Sequence, residues 1–187
     1  MNEEQKDWLE QIERIWDARH EERLFEKMLK EPFTEKFWLE AVRRNCVAFK
    51  YVPANLKTAE LCLAAVQQYG NMLRFVPDSL KTAELCLVAV QDNIEALQFV
   101  PDSLKTAELY LAAAQQNGYA LEWVPDNLKT AELYLAAVQN DGEALQFVPY
   151  SFKTAELCMA AVQKHRYALE WVPKAIQEKF AKEVGLD

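Results

Sequence analysis

The chain has 187 residues, of which 51% are hydrophobic and 27% charged, so it can bury a core and is neither disordered nor collagen-like. Only four Gly and seven Pro are present, which disfavours an all-β chain with many tight turns and predicts an all-α protein. The formal net charge of -8 disfavours nucleic acid as a partner, because affinity for phosphates comes mainly from Lys and Arg.

The sequence contains no sign of a membrane or secretory segment. Its N-terminal end lacks a basic segment followed by an apolar run, and no stretch of about 18 uncharged apolar residues occurs. We therefore expect a cytoplasmic protein that does not bind a membrane.

The cysteines have no spacing typical of a redox or metal motif. Cys62, Cys86 and Cys158 occupy one slot of a repeat, and Cys46 lies outside that slot. Equivalent stacked helices lie about 8 to 10 Å apart, beyond the roughly 7 Å that a disulfide spans between Cα atoms. We expect buried free thiols, and with only two His in the chain, neither a metal nor another cofactor.

A 24-residue repeat organises the chain. The Val-Pro dipeptide recurs with Val at positions 52, 76, 100, 124, 148 and 172. The unit V-P-x-x-L-K-T-A-E-L-x-L-A-A-V-Q-x-x-G-x-A-L-x-aromatic covers 52–171 in five copies without insertion or deletion. A degenerate sixth copy begins upstream, near Met28. Alternate copies match best, which indicates duplication of a 48-residue unit.

Each unit is predicted to contain a longer helix, helix A, and a short helix B. Thr82 is a favourable N-cap for a helix A that runs to about Asp92. The Gly of Asn117-Gly118 is expected to end helix A in the left-handed conformation. Where another residue replaces this Gly, either the preceding residue is strained, as at Asn93 and His165, or the turn differs locally. Helix B, residues 119–123, should end before the Val-Pro pair.

The apolar pattern of helix A predicts burial on three sides. In one copy these sides carry Leu85 with Ala89, Cys86 with Val90, and Leu87. Such a helix must pack between neighbouring copies and its own helix B. We therefore predict an α-solenoid of 24-residue helix plus short-helix repeats, with capping helices at both ends.

The predicted organisation is one structural domain in three parts. Residues 1–27 form an N-terminal capping helix, 28–171 form six repeats, and 172–187 form a C-terminal capping helix. The apolar faces of the capping helices comprise Trp8, Leu9, Ile12, Ile15 and Trp16, and then Ile176, Phe180 and Val184. Because both ends are charged, we expect a monomer.

The string L-K-T-A-E-L-Y-L-A-A-A-Q-Q-N-G-Y-A-L-E-W-V-P, from 104 to 125, resembles a short bacterial two-helix repeat family of unknown function. The resemblance covers 52–173. The plan is also similar to leucine-rich variant repeats, although their V-R-x-x-V-A-x-N-P signature is absent. The resemblance implies a helical solenoid and supplies no catalytic residues.

Two polar columns run along the least apolar stripe of helix A. They consist of Glu60, Glu84, Glu108, Glu132 and Glu156, and of Gln67, Gln91, Gln115, Gln139 and Gln163. Either these columns are a solvated structural feature or they form a repeated binding groove. A third column, of aromatic residues, is expected in the core: Tyr51, Phe75, Phe99, Trp123, Phe147 and Trp171.

Positions that differ between copies are expected to be freer from the demands of the fold and are candidates for partner recognition. They are Asp92, Glu95, Tyr119, Asp141 and Glu143. Residues 92–143 hold nine acidic residues against Lys105 and Lys129, a local charge of -7. This charge predicts a protein or basic peptide as partner, and the alternative is a solubilising surface.

No nucleophile motif, Gly-rich phosphate loop or His/Cys pairing occurs in the sequence, so we expect a protein that is not an enzyme. The favoured hypothesis is a protein-binding module or scaffold with an acidic recognition surface. The alternative is a stoichiometric inhibitor, such as an immunity protein that covers the basic site of a toxin or nuclease. A self-assembling structural rod is the third hypothesis, which the charged ends disfavour.

Overall fold

The computed structural model describes residues 3–14, 18–28 and 33–184. Within these ranges the secondary structure is entirely helical, which confirms the predicted all-α repeat fold. The α-helices are α1 (Glu3–Glu13), α2 (Ala18–Met28), α3 (Glu35–Arg44), α4 (Ala59–Gln68), α5 (Ala83–Asp92), α6 (Ala107–Gln116), α7 (Ala131–Asn140), α8 (Ala155–Lys164) and α9 (Lys174–Val184). Helix A of the six repeats corresponds to α3 to α8.

Helix B of each repeat is a six-residue 3₁₀ helix. The six copies are Cys46–Tyr51, Gly70–Phe75, Ile94–Phe99, Gly118–Trp123, Gly142–Phe147 and Arg166–Trp171. A further 3₁₀ turn that the sequence pattern did not predict follows each Val-Pro pair except the last: Ala54–Leu56, Asp78–Leu80, Asp102–Leu104, Asp126–Leu128 and Tyr150–Phe152. In this turn the Pro carbonyl accepts a hydrogen bond from the N–H of the residue three positions on, as between Pro125 and Leu128 at 2.9 Å.

The start of helix A is set by its threonine, as predicted. The Leu85 N–H donates to Thr82 Oγ1 at 3.2 Å, and Thr82 itself is extended. This bond satisfies one of the amide groups that a helix start leaves without a partner. The equivalent bond is made by Thr34, Thr58, Thr106, Thr130 and Thr154.

The prediction that helix A ends in a left-handed residue is wrong. Asn93, with φ of -145°, and His165, with φ of -137°, are extended and carry no strain of that kind. The residue after helix A instead serves as N-cap of helix B, and the Glu95 N–H donates to Asn93 Oδ1 at 2.9 Å. Asn or Asp favours this position because its side chain accepts that bond, as Asn117 and Asp141 also do.

The glycines of helix B are required by the closeness of the next repeat. A Cβ on Gly118 would lie 2.7 Å from the Ala137 carbonyl oxygen and 2.9 Å from Asp141 Cβ. Gly70 and Gly142 face the equivalent carbonyl oxygens of the following helix A. The absence of a Cβ therefore allows helix B of one repeat to approach helix A of the next.

Polar side chains at the last position of helix A join consecutive repeats. Asn140 Oδ1 accepts from the Gly118 N–H at 3.0 Å, and Asn140 Nδ2 donates to the Gln115 carbonyl at 2.9 Å. The side-chain amide of Asn140 thus provides a hydrogen-bond partner for the first N–H of helix B and for a carbonyl near the end of helix A, both in the preceding repeat. Gln68 makes the second kind of bond, to the Val42 carbonyl at 2.6 Å.

The chain forms two compact units, Met1–Leu104 and Lys105–Asp187. The prediction of a single structural domain with boundaries at 27 and 171 stays a prediction. The first unit holds α1, α2 and three repeats, and the second holds three repeats and α9.

The N-terminal segment predicted as one capping helix contains two, α1 and α2. The α1 helix meets the end of α3, where Asn45 Nδ2 donates to the Ile12 carbonyl at 3.2 Å. The α2 helix meets the first helix B, where Phe25 stacks on Tyr51 with 4.1 Å between ring centroids. Of the predicted apolar face, Leu9 and Ile12 are buried, Trp8 is partly buried, and Ile15 and Trp16 lie outside the described residues.

At the other end, α9 follows the last Val-Pro pair. Gln177 Nε2 donates to the Leu169 carbonyl at 2.9 Å and to the Val172 carbonyl at 2.8 Å, which anchors the start of α9 on the last repeat. Ile176 is partly buried, and the side chains of Phe180 and Val184 lie outside the described residues.

Two sides of helix A are buried, as in α7, where Leu133, Tyr134, Ala137 and Val138 are all enclosed. The predicted burial of the third side is wrong, because Leu63 and Leu135 are exposed and Leu87, Leu111 and Met159 are only partly buried. Neighbouring α-helices and the 3₁₀ helices cover the two inner sides, and no described element covers the outer one.

The aromatic column does not lie in the core. None of its six residues is buried, and Trp123 is 44% exposed. The inner side of helix B is filled by Ala120 and Leu121, followed by Val124, and this leaves the aromatic ring at the edge.

Candidate binding surface on the outer face of helix A

The outer face of helix A brings together three columns of side chains. In α7 the exposed residues include Glu132, Leu135 and Gln139, which lie at positions i, i+3 and i+7 and therefore share one side of the helix. The predicted residues Glu84, Glu108, Glu132, Gln91, Gln115 and Gln139 are all exposed on this face. An apolar column runs beside them, made by Leu63, Leu87, Leu111, Leu135 and Met159.

A groove lies between successive outer faces. The groove between α6 and α7 has a volume of about 250 Å³, and that between α7 and α8 about 260 Å³. The equivalent groove between α4 and α5 in the first unit measures about 440 Å³ and is lined by Leu63, Glu84 and Val88 among others. Each groove has apolar side chains from the earlier repeat on one side and the threonine cap and glutamate of the later repeat on the other.

The glutamates of the second unit carry uncompensated charge. Among the described contacts, Glu108, Glu132 and Glu156 form no ion pair, whereas Glu60 in the first unit lies 3.0 Å from Arg43 Nη2. The pKa of Glu108 is lowered by a hydrogen bond to a backbone amide of its own helix start and by another to Thr106. The helix start therefore holds this carboxylate in its ionised form.

The variable positions are not free from the fold. Asp92 Oδ2 accepts from the Gly70 N–H at 2.7 Å, and Glu95 Oε2 accepts from Asn71 Nδ2 at 3.2 Å. Both bonds join one repeat to the next, so these acidic residues have a structural role. Their part in partner binding stays a prediction.

The same holds for the other three variable candidates. Tyr119 Oη donates to Glu143 Oε2 at 3.1 Å, and this bond to a carboxylate raises the pKa of Tyr119. Asp141 Oδ1 lies 2.8 Å from His165 Nδ1. Sequence differences between copies thus encode specific repeat-to-repeat bonds, which a single sequence did not distinguish from recognition residues.

The local charge of 92–143 is distributed over several kinds of position. Asp126 pairs with Lys129 at 2.8 Å, within one 3₁₀ turn and its cap. Among the described contacts of these nine acidic residues, three glutamates form no ion pair: Glu108, Glu122 and Glu132. Of these three, Glu108 alone accepts a hydrogen bond from another side chain, that of Thr106. Only part of the acidic stretch therefore faces solvent with its charge unshared.

Two features of the repeat were missed in the sequence. The apolar column on the outer face, whose side chains are exposed or only partly buried, was assigned to the core because its residue types are apolar. Lysines that precede the threonine caps reach the end of helix B of their own repeat: Lys57 Nζ donates to the Phe75 carbonyl at 2.8 Å, Lys81 Nζ to the Phe99 carbonyl at 2.8 Å, and Lys153 Nζ to the Trp171 carbonyl at 3.0 Å. Burial lowers the pKa of Lys57 and Lys153. The recurrence of Lys in all five clear copies was the available signal.

All four thiols are free, but Cys46, which was expected to be buried like the others, is only partly buried. Cys62, Cys86 and Cys158 are buried, and burial raises the pKa of each, which disfavours the reactive thiolate. Across the described residues, no three His, Cys, Asp or Glu side chains lie close enough together to hold a metal ion.

Over the part of the chain that the structure describes, every helix is too short or too polar to cross a membrane. No curated protein and no solved structure was found to match the chain. The family model described as "Domain of unknown function (DUF4116)" matches three consecutive segments, 34–81, 83–129 and 131–177. Each segment spans two 24-residue repeats, in agreement with the 48-residue period. The matches cover most of the sequence, and the chain therefore belongs to this family of helical repeats of unknown function.

Proposed function

We propose that this chain is a protein-binding module or scaffold without enzymatic activity, and that its partner lies on the outer face of helix A. The observation that carries the proposal is the groove between successive helices, which combines exposed apolar side chains with glutamates that have no cationic partner. A protein that used this face only for solubility would not need a large apolar side chain, Leu or Met, at this position in all five clear copies.

The energetics of such a site favour a basic partner. Burying an exposed leucine contributes about 25 cal/mol for each Å² of apolar surface removed from water, and repetition multiplies this contribution. The row of carboxylates attracts cations, which speeds the encounter and selects against acidic partners. A buried thiol with raised pKa and a histidine paired with Asp141 give no support to a catalytic role.

The test compares two charge-reversal variants. Changing Glu108, Glu132 and Glu156 to Lys alters the proposed face and leaves the Tyr119 bond to Glu143 intact. The matched control changes exposed acidic residues elsewhere, Glu122, Glu170 and Glu178, to Lys and so gives the same net charge. Partners crosslinked to the tagged chain in its source cells are identified by mass spectrometry. We expect them to be lost with the first variant and kept with the second. Equal retention would contradict the proposal.

The second candidate function is a stoichiometric inhibitor of the immunity type, which the local charge of -7 over 92–143 favours. This function implies one basic partner bound at equal ratio, whose own activity the chain abolishes. A scaffold implies several partners without such loss. For the scaffold and the inhibitor alike, we propose a cytoplasmic location, a bacterial source and a monomeric state. Light scattering at increasing protein concentration tests the last of these.

A further inference from the structure

The second unit has two equivalent grooves in succession. The first lies between α6 and α7, with Leu111 on one side and Glu132 on the other. The second lies between α7 and α8, with Leu135 on one side and Glu156 on the other. These pairs are related by the 24-residue repeat, so a ligand that contacts both grooves meets the same chemistry twice in the same order.

The second groove has an aromatic wall. Phe152 stands where the preceding repeat has Leu128, and it is 40% exposed. Its ring lies 5.1 Å from that of Tyr134, which is almost fully buried and therefore fixes one side of Phe152. An exposed aromatic ring held by a buried neighbour is a suitable contact for an apolar side chain.

The size of the grooves limits the kind of ligand. Volumes of about 250 and 260 Å³ lie below the range of about 300 to 1,000 Å³ that is usual for small-molecule sites. Each groove also opens to solvent along the helix face and has no deep polar centre. The grooves therefore suit single side chains of a larger ligand better than a compact cofactor.

The distance between the grooves sets the spacing of those side chains. Packed helices lie about 8 to 10 Å apart. A peptide in the extended polyproline II conformation advances about 3.1 Å per residue with three residues per turn, so side chains three residues apart point the same way and lie about 9 Å apart. A glutamate at each groove places a negative charge beside each apolar contact.

Resting on the proposed function, we propose that α6 to α8 bind an extended basic peptide segment. Its apolar side chains, three residues apart, enter the two grooves, and Lys or Arg residues between them pair with Glu108, Glu132 and Glu156. The occupant is an extended segment of a partner protein, and the same face disfavours acidic segments.

The test uses synthetic peptides and the full chain. One labelled peptide has Leu at positions i and i+3 with Lys between and around them, and a proline outside this core to prevent helix formation. The control peptide has the same composition with Leu at i and i+2. Fluorescence anisotropy at moderate salt measures both affinities. We expect the first peptide to bind about tenfold more tightly, the effect of about 1.4 kcal/mol.

Protein variants separate the apolar contact from charge attraction. Leu135→Ser and Glu132→Lys should each weaken binding of the first peptide about tenfold. Leu169→Ser, which changes an equally exposed leucine of the last helix B, and Glu122→Lys should each change the affinity less than twofold. Circular dichroism and urea unfolding of every variant confirm that the fold is kept.

Three outcomes overturn the inference. Equal affinity for the two spacings excludes the register between grooves. Sensitivity to Glu132 without sensitivity to Leu135 reduces the interaction to charge attraction. Failure of both peptides to bind the unaltered chain excludes an extended basic ligand of this kind. In each case the proposed function is tested independently by the crosslinking experiment with the charge-reversal variants, because that experiment does not depend on the spacing of a peptide.

Discussion

Replacing Gly118 by Ala tests the physical basis of repeat stacking. The added Cβ would lie 2.7 Å from the Ala137 carbonyl oxygen and 3.0 Å from Ala144 Cβ. That carbonyl cannot easily move, because it accepts the Asp141 N–H at 2.8 Å in the last hydrogen bond of α7. Helix B of one repeat and helix A of the next must therefore separate.

The expected cost follows from two opposing terms. Overpacking a close contact costs about 1 to 3 kcal/mol. Gly118 does not have the positive φ that would strain an alanine, so the substitution also reduces the entropy of the unfolded chain and regains about 0.4 to 1 kcal/mol. Taking the middle of each range, the net expectation is a loss of about 1.3 kcal/mol in the free energy of unfolding.

The same slot in the last repeat supplies the control. Arg166 occupies it and is exposed, with no further repeat helix A after it in the described chain. At this position Ala should be more stable than Gly by about 0.4 to 1 kcal/mol, so the sign of the Ala-to-Gly difference reverses between 118 and 166. Urea unfolding followed by circular dichroism measures both pairs. A Gly118→Ala chain as stable as the original would refute the close-approach argument.

Three further predictions concern the buried parts of the repeat. Ala113→Leu should destabilise the array by about 1 to 3 kcal/mol in urea unfolding, since Ala113 is fully enclosed, and a neutral result would contradict that burial. Lys153→Met removes the hydrogen bond to the Trp171 carbonyl and should cost about 1 kcal/mol, whereas the exposed Lys164→Met should cost nothing measurable and serves as control. Burial raises the pKa of three thiols above the ordinary 9.0, so above that pH the unfolded chain releases protons that the folded chain keeps, and stability falls as pH rises. When alanine replaces Cys62, Cys86 and Cys158 together, the urea midpoint at alkaline pH should therefore move closer to the midpoint at neutral pH. If the loss of stability at alkaline pH stays the same in this variant, other groups cause it.

The sequence determined the period, the helix starts and the class of fold. A threonine before Ala-Glu predicts an N-cap from local chemistry alone, and helix A of the five clear copies begins at such a threonine. The Val-Pro pair likewise predicts the end of helix B, because the residue before proline avoids the α region. Both signals act within a few residues of the chain, so they predict local structure correctly without knowledge of the neighbouring repeats.

The sequence misled wherever the decisive neighbour lies one repeat away. Gly118 has the composition of a left-handed helix end, yet its role is set by the Ala137 carbonyl of the following repeat. Asp92 and Glu143 differ between copies, yet each completes a hydrogen bond to the repeat before it. Local patterns cannot reveal such partners, since they depend on how two copies are superimposed in space.

The candidate surface shows the same division. Glutamate and glutamine columns on one stripe were evident from spacing, because helical periodicity alone places positions i and i+7 together. The exposure of the apolar column beside them was not evident, because the sequence pattern predicts that an apolar residue is buried whether or not another element covers it. None of the described elements covers Leu135. Helix formation is a local event governed by caps and periodicity, whereas exposure is decided by which neighbours arrive, and only the tertiary structure determines that.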